Sequence, residues 1–162
     1  MPSGGKNRLY NLLKTYATLD IKLGYTQGMN FIAAIILLNV PDEEDAFWCF
    51  VYVMLSKKGL KTPFGTIKGK HNWRKVFIDG MPKAIDLDKK LRKAIKKKAG
   101  EALERILEET DVESLYPAFG SLYISIFLVD LPDSTSSRLF EVFLLQGEKF
   151  MLKLISSAVR HK

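Results

Sequence analysis

Apolar residues recur along most of this chain at helical spacing. Leu9, Leu12, Leu13 and Tyr16 fall at i, i+3, i+4 and i+7, which predicts a first amphipathic helix. Residues 28 to 38, GMNFIAAIILL, are apolar on every side. As a helix this segment belongs in the middle of the core, and a buried strand is the competing reading. In PDEEDAFWCFVYVMLSKKG, Pro41 and the acids at 42 to 45 stand at the start and Lys57, Lys58 and Gly59 at the end, matching a helix dipole and a glycine cap. Phe47, Trp48, Cys49 and Phe50 at its centre read as core, because large aromatics stabilise chiefly by burial. Between Lys57 and Asn72 the pattern is lost, and Gly59, Pro63, Gly65 and Gly69 punctuate what reads as a long basic loop.

From Lys83 the periodicity returns, with Leu87, Leu91 and Ile95 at four-residue spacing. Gly100 permits a turn, and Leu103, Ile106 and Leu107 mark a short helix beyond it. Another helix is predicted through Leu115, Phe119, Leu122, Tyr123, Ile126 and Phe127, with Pro117 in or before its first turn. After the break at Leu131 and Pro132 come two amphipathic segments, one through Leu139, Phe140, Phe143 and Leu144 to Gly147. The other runs through Phe150, Met151, Leu154, Ile155, Ala158 and Val159. No convincing alternating strand is present. Seven or eight helical segments with short connections and no fixed-period repeat predict one compact all-α domain over residues 1–162.

Composition narrows the class. A chain of 162 residues, 47% hydrophobic and 27% charged, can bury a core, so disorder is not expected. A lone Cys49 excludes an internal disulfide framework, and His71 and His161 as the only histidines leave no metal-site cluster. The opening MPSGGKNRLY lacks a signal peptide's apolar core, and the apolar run at 31 to 38 is far short of the roughly 20 residues that cross a bilayer. The expectation is a soluble protein of a reducing, cytoplasmic compartment. The net charge of +7 allows an acidic partner. The lysine-rich stretch from Lys83 to Lys98 is most simply the solvated face of a helix. Its sharper reading is a peripheral contact with anionic lipid, worth ~1 kcal/mol per basic residue near such a surface. Nucleic-acid binding is set aside, because no aromatic platform interleaves the lysines and no helix-turn-helix cue appears.

One cluster carries more information than its composition. Gly24 to Ile32 spell GYTQGMNFI, followed by an acidic turn and EEDAFWCF. This resembles the TBC domain, the all-helical module that activates Rab-type small GTPases of vesicle trafficking. LYNLLKTYATLD before the motif and VDLPDSTSSRLFEVFLLQG after it are similar to the family's flanking segments in the same order, so the resemblance covers nearly the whole chain. It implies a regulator of a partner's GTP hydrolysis, without a substrate pocket of its own. GTP and magnesium would belong to the partner, and the chain would need no cofactor. The implied catalytic residue is Gln27, whose neutral amide can donate and accept at once and so orient the attacking water. Tyr25, Thr26, Gly28 and Asn30 are implied as loop support and partner contacts, with Gly28 letting the backbone come close. Without the family, a glutamine in such a loop is far more often an ordinary surface residue. Thr26 stands where the family commonly has cysteine, and LYPAFGSLYISIF lacks the tryptophan usually found near Leu122.

A second element of the resemblance is missing. The family places an arginine in a motif of the type I-x-x-D-x-x-R upstream of the LYNLL-like helix, and the sequence contains no such motif. An arginine finger contributes on the order of 10³ to 10⁵ in rate, so weak activation is expected without it. Arg8 and Arg74 are the nearest substitutes by type, but both read as solvated surface residues. Two expectations follow: the chain is part of a working activator, or it is a non-catalytic TBC scaffold that binds small GTPases. In the first case, uncovered apolar surface near the first helices predicts poor solubility.

Overall fold

A computed structural model of the chain describes residues 3–110, 115–129 and 131–160. Eight α-helices and one small hairpin are found among the described residues: α1 (Ser3–Leu19), α2 (Met29–Asn39), α3 (Glu43–Met54), β1 (Leu60–Thr62), β2 (Gly65–Ile67), α4 (Arg74–Phe77), α5 (Pro82–Thr110), α6 (Tyr116–Ser125), α7 (Asp133–Gln146) and α8 (Glu148–Arg160). The fold is all-α, as the periodicity predicts. The side chains of Lys98 and Ile106, together with His161, lie outside the described residues.

Helices α1, α2 and α3 pack on one another, and α5 packs along α8. Leu12 and Tyr16 of α1 are buried, and Tyr16 meets Phe50 of α3 edge to face at a ring separation of 5.0 Å. Helix α2 is a helix and not a strand, but it is not enclosed on all sides. Met29, Ile32, Ala33, Ile35, Ile36 and Leu37 are buried, while Phe31 and Leu38, seven residues apart on one face, are exposed. Asp42 caps α3, its Oδ1 accepting from the backbone N–H groups of Glu44 and Asp45 at 2.9 Å each.

Four sequence expectations need correction. Trp48 is not core: it is 46% exposed, its Nε1–H donating to Glu44 Oε1, because Ala46 and Phe50 four residues apart already hold the inward face. Helix α3 stops at Met54, so Lys57, Lys58 and Gly59 do not cap it. They lead instead into the β1–β2 hairpin, within the segment expected to be a loop. Gly59 is required there: its φ is +78° and a side chain would strike the Ile67 carbonyl at 2.4 Å. The strands are three residues each, too short to show alternation. Gly100 makes no turn, and α5 runs through it without a break. Ile95 and Leu103 are eight residues apart and both buried, so one continuous face spans the glycine, and this outweighs its cost of roughly 1 kcal/mol. Finally, α6 ends at Ser125, ahead of Ile126 and Phe127, which take positive φ values of 54° and 70° in a turn. Both are buried, and burial holds a left-handed backbone that a β-branched residue otherwise avoids.

The lysines of α5 are not uniformly solvated. Lys83 pairs with Glu148 at the start of α8, and Lys90 lies 2.6 Å from both Glu148 Oε1 and Asp86 Oδ2. Burial alone would raise the Glu148 pKa, but the two ammonium groups outweigh it and hold the carboxyl below its ordinary value. Lys89, Lys93, Lys96 and Lys97 are exposed.

Two aromatic anchors join the halves of the fold. Trp73 is fully buried, donates from Nε1 to the Tyr123 carbonyl at 3.0 Å and meets Phe143 edge to face. His71 is buried beside Phe143 and Tyr52, with Nε2 3.1 Å from the Leu144 carbonyl oxygen. That oxygen can only accept, so Nε2 carries the proton. Burial, and then the nearby Lys70 ammonium, hold the His71 pKa down at about 4. Between pH 6.5 and about 4 the unfolded chain therefore binds a proton that the native state refuses, and stability is lost as pH falls through that window. The expected loss from this group is on the order of 2 to 3 kcal/mol, read from urea unfolding across that range. His71→Gln should flatten that dependence, and an unchanged slope would show that another group sets it.

Candidate functional site

The segment between α1 and α2 carries the GYTQGMN motif, and the structure explains its shape from the inside out. Its base is a turn after α1 in which the Asp20 carbonyl accepts from the N–H groups of Leu23 and Gly24. The Asp20 side chain is 1% exposed. It is held by Arg74 in a two-pronged pair, Nε to Oδ2 at 2.5 Å and Nη2 to Oδ1 at 3.0 Å, and by the Tyr16 hydroxyl at 3.3 Å. Burial, and then the adjacent carboxylate, push the Tyr16 pKa far above its ordinary value, so its hydroxyl stays protonated and donates. Hydrogen bonding to Asp20 raises Arg74 in turn. A buried carboxylate is tolerable only when charge and hydrogen bonds surround it. Arg74 is therefore not the solvated residue expected from sequence, and its guanidinium is committed to Asp20.

At the far end of the loop, Gly28 is the N-cap of α2 with φ +101°. A side chain there would sit 2.4 Å from Ile124 Cγ2 and 3.2 Å from Phe77 Cε1, so the glycine allows both the left-handed turn and the close seat of the loop on α6 and α4. Asn30 ties the loop together: its Oδ1 accepts from the Gly28 N–H at 3.2 Å and faces the Tyr25 hydroxyl at 3.4 Å. The Thr26 carbonyl accepts from the Met29 N–H, and the Thr26 N–H lies 3.5 Å from Met29 Sδ. Met29 is fully buried, so the loop is pinned to the core from below.

Tyr25, Gly28 and Asn30 thus form one hydrogen-bonded knot, with Thr26 half-buried beside it and Gln27 exposed. Among the described residues the Gln27 side chain makes no hydrogen bond, and its amide is presented to solvent from a backbone fixed at both ends. A cleft of about 980 Å³ lies elsewhere, between the end of α1 and the hairpin, lined in part by Ile21, Phe47, Leu60 and Phe64. No group of three or more metal-ligating side chains is found among the described residues, nor is any described helix long and apolar enough to cross a membrane.

Arg8 is also committed. Its Nη2 donates to the carbonyls of Val40 at 3.1 Å and Pro41 at 2.5 Å, and its Nε is 3.5 Å from Glu43. The α2–α3 connection leaves those carbonyls without helical partners, and Arg8 satisfies them.

The profile of the Rab-GTPase-TBC domain matches residues 2–161. The chain belongs to that family. Among its relatives are the GTPase-activating protein GYP5 of Saccharomyces cerevisiae, 26% identical over 145 residues, and TBC1 domain family member 1 of Mus musculus, 30% identical over 154 residues. The human ecotropic viral integration site 5 protein homolog is 25% identical over 150 residues. These alignments take in 90%, 94% and 93% of this chain but only 14%, 11% and 16% of the respective relatives, so the TBC chain spans a small part of the length of each. No solved structure gives a significant match.

Sequence reasoning missed the Asp20, Arg74 and Tyr16 cluster and the Ile124 and Phe77 wall beneath Gly28. The signal was slight. Asp20 and Arg74 are 54 residues apart, and only a fold brings them together.

Proposed function

We propose that this TBC chain binds a GTP-loaded Rab-type GTPase at endomembranes and presents Gln27 to the partner's nucleotide, where its amide orients the attacking water. The observation that supports this most is the placement of Gln27: exposed, without a hydrogen-bond partner among the described residues, and carried on a loop whose neighbours are pinned by Asn30 and by Gly28. A backbone fixed at both ends lowers the cost of placing the amide during reaction, which is what such a role demands. The GTP and magnesium are the partner's, and Tyr25, Thr26 and Asn30 form the rim of the contact.

A second reading, a GTPase-binding scaffold without catalysis, is favoured by the arginines. The guanidinium groups of Arg8 and Arg74, the nearest candidates by type for an arginine finger, are occupied within the fold. Single-turnover GTP hydrolysis by a panel of Rab GTPases separates the two. The 162-residue chain is expected to stimulate hydrolysis weakly, and a form extended upstream by an I-x-x-D-x-x-R segment about 10³-fold more. Binding of the GTP-loaded partner without stimulation by either form would favour the scaffold. Strong stimulation by the unextended chain that survives Gln27→Ala would overturn the mechanism.

A further inference from the structure

The β1–β2 hairpin presents a feature that the Gln27 site does not use. Phe64, in its turn, is 99% exposed, and Ile21 on the other side of the same cleft is 82% exposed. The turn is internally braced: Thr62 Oγ1 donates to the Gly65 carbonyl at 2.9 Å and accepts from the Phe64 N–H at 3.2 Å. A large aromatic is therefore held out in water on a rigid support, although its burial elsewhere would be favourable. The charge around it has one sign. From Ala46 to Ile78 the sequence has no aspartate or glutamate, and Lys57, Lys58 and Lys61 flank the hairpin with exposed side chains. Lys22 adds to this rim, and Asp20, the one carboxylate lining the cleft among the described residues, is already held by Arg74.

We propose that this hairpin is a membrane-docking element, with Phe64 entering the interfacial region of an anionic bilayer while Lys22, Lys57, Lys58 and Lys61 meet the lipid headgroups. Charge complementarity identifies the surface as negative. The protruding, unshielded ring identifies it as a bilayer: a fluid interface accepts an isolated aromatic without a complementary pocket, and aromatic side chains settle at headgroup depth. Lysines on flexible stems suit a diffuse layer of phosphates better than a fixed arrangement of carboxylates. The α5 lysines are the weaker candidate, since Lys83 and Lys90 are drawn into contacts with Glu148 and, among the described residues, no exposed aromatic lies on that helix. The inference is independent of the role of Gln27.

Co-sedimentation with vesicles tests it, using phosphatidylcholine alone and phosphatidylcholine containing one-fifth phosphatidylserine. The chain is expected to bind only the anionic vesicles. Phe64→Ser should weaken that partition about tenfold. Paired Lys57→Glu and Lys61→Glu should weaken it by more than tenfold, at about fivefold or more per charge lost. Lys93→Glu with Lys96→Glu on α5 should retain more binding than the hairpin pair. Phe64→Trp should show blue-shifted emission on the vesicles and quenching by brominated acyl chains. All five positions are exposed, so unchanged thermal transitions are expected and confirm that the variants fold. Binding that is insensitive to Phe64→Ser, or lost only with the α5 pair, would overturn the proposal. So would absence of vesicle binding together with Phe64-dependent retention on poly-glutamate, which would identify an acidic protein surface as the partner instead.

Discussion

Asp20→Ala is expected to lower the unfolding free energy by about 3 kcal/mol, the low end of the range for breaking a buried ion pair, because Arg74 is partly exposed. For a chain of this length that corresponds to a fall in Tm of roughly 6 to 12 °C. The loss has three parts. The Arg74 guanidinium forfeits both of its charge-assisted bonds, the Tyr16 hydroxyl loses its acceptor, and a cavity opens at the foot of α1. Replacing Asp20 and Arg74 together by asparagine and methionine should recover part of the deficit, since no buried charge is then left alone. Thermal unfolding of the singles and the double gives the coupling directly. A single-variant cost below about 1 kcal/mol would show that the pair does not anchor the turn. Because the Asp20 side chain anchors the residue whose backbone carbonyl holds Leu23 and Gly24, the same substitution should also loosen the Gln27 loop.

The second large effect is expected with no loss of stability at all. Gln27 is exposed and has no intramolecular side-chain partner among the described residues, so Gln27→Ala should leave the unfolding free energy within about 0.5 kcal/mol. In the form extended by an upstream arginine segment it should reduce stimulated GTP hydrolysis by about 10² to 10³. Gln27→Glu should fail nearly as badly, because a carboxylate accepts but cannot donate to the water and its surroundings. The combination of an intact fold and a lost rate distinguishes a residue that acts on the partner from one that supports the loop. Gly28→Ala should lose both together, through its positive φ and the contact with Ile124.

How far these features can be read from sequence depends on the range of the interactions that create them. The stripes of α1, α5 and α8 are local patterns, and the acids at 42 to 45 mark a helix start correctly because capping is decided within one turn. Gly100 misleads for the same reason: a local breaker was set against a face running from Leu87 to Leu103, and the longer pattern prevailed. The turn at Ile126 and Phe127 carries no glycine to announce it, since surrounding packing imposes the backbone there. The motif loop is legible at its glycines, where Gly24 and Gly28 both take positive φ. What lies beneath the loop is not. Asp20 with Arg74, Gly28 with Ile124 and Arg8 with Val40 are all pairings across distant segments, and no spacing rule reaches that far.

The supply of a glutamine in trans can be measured most directly with a Rab-type GTPase whose own water-orienting glutamine has been replaced by alanine. Single-turnover hydrolysis by that partner should still be stimulated by the arginine-extended chain, and the stimulation should disappear with Gln27→Ala. Equal stimulation by the wild-type chain and by Gln27→Ala would contradict the account.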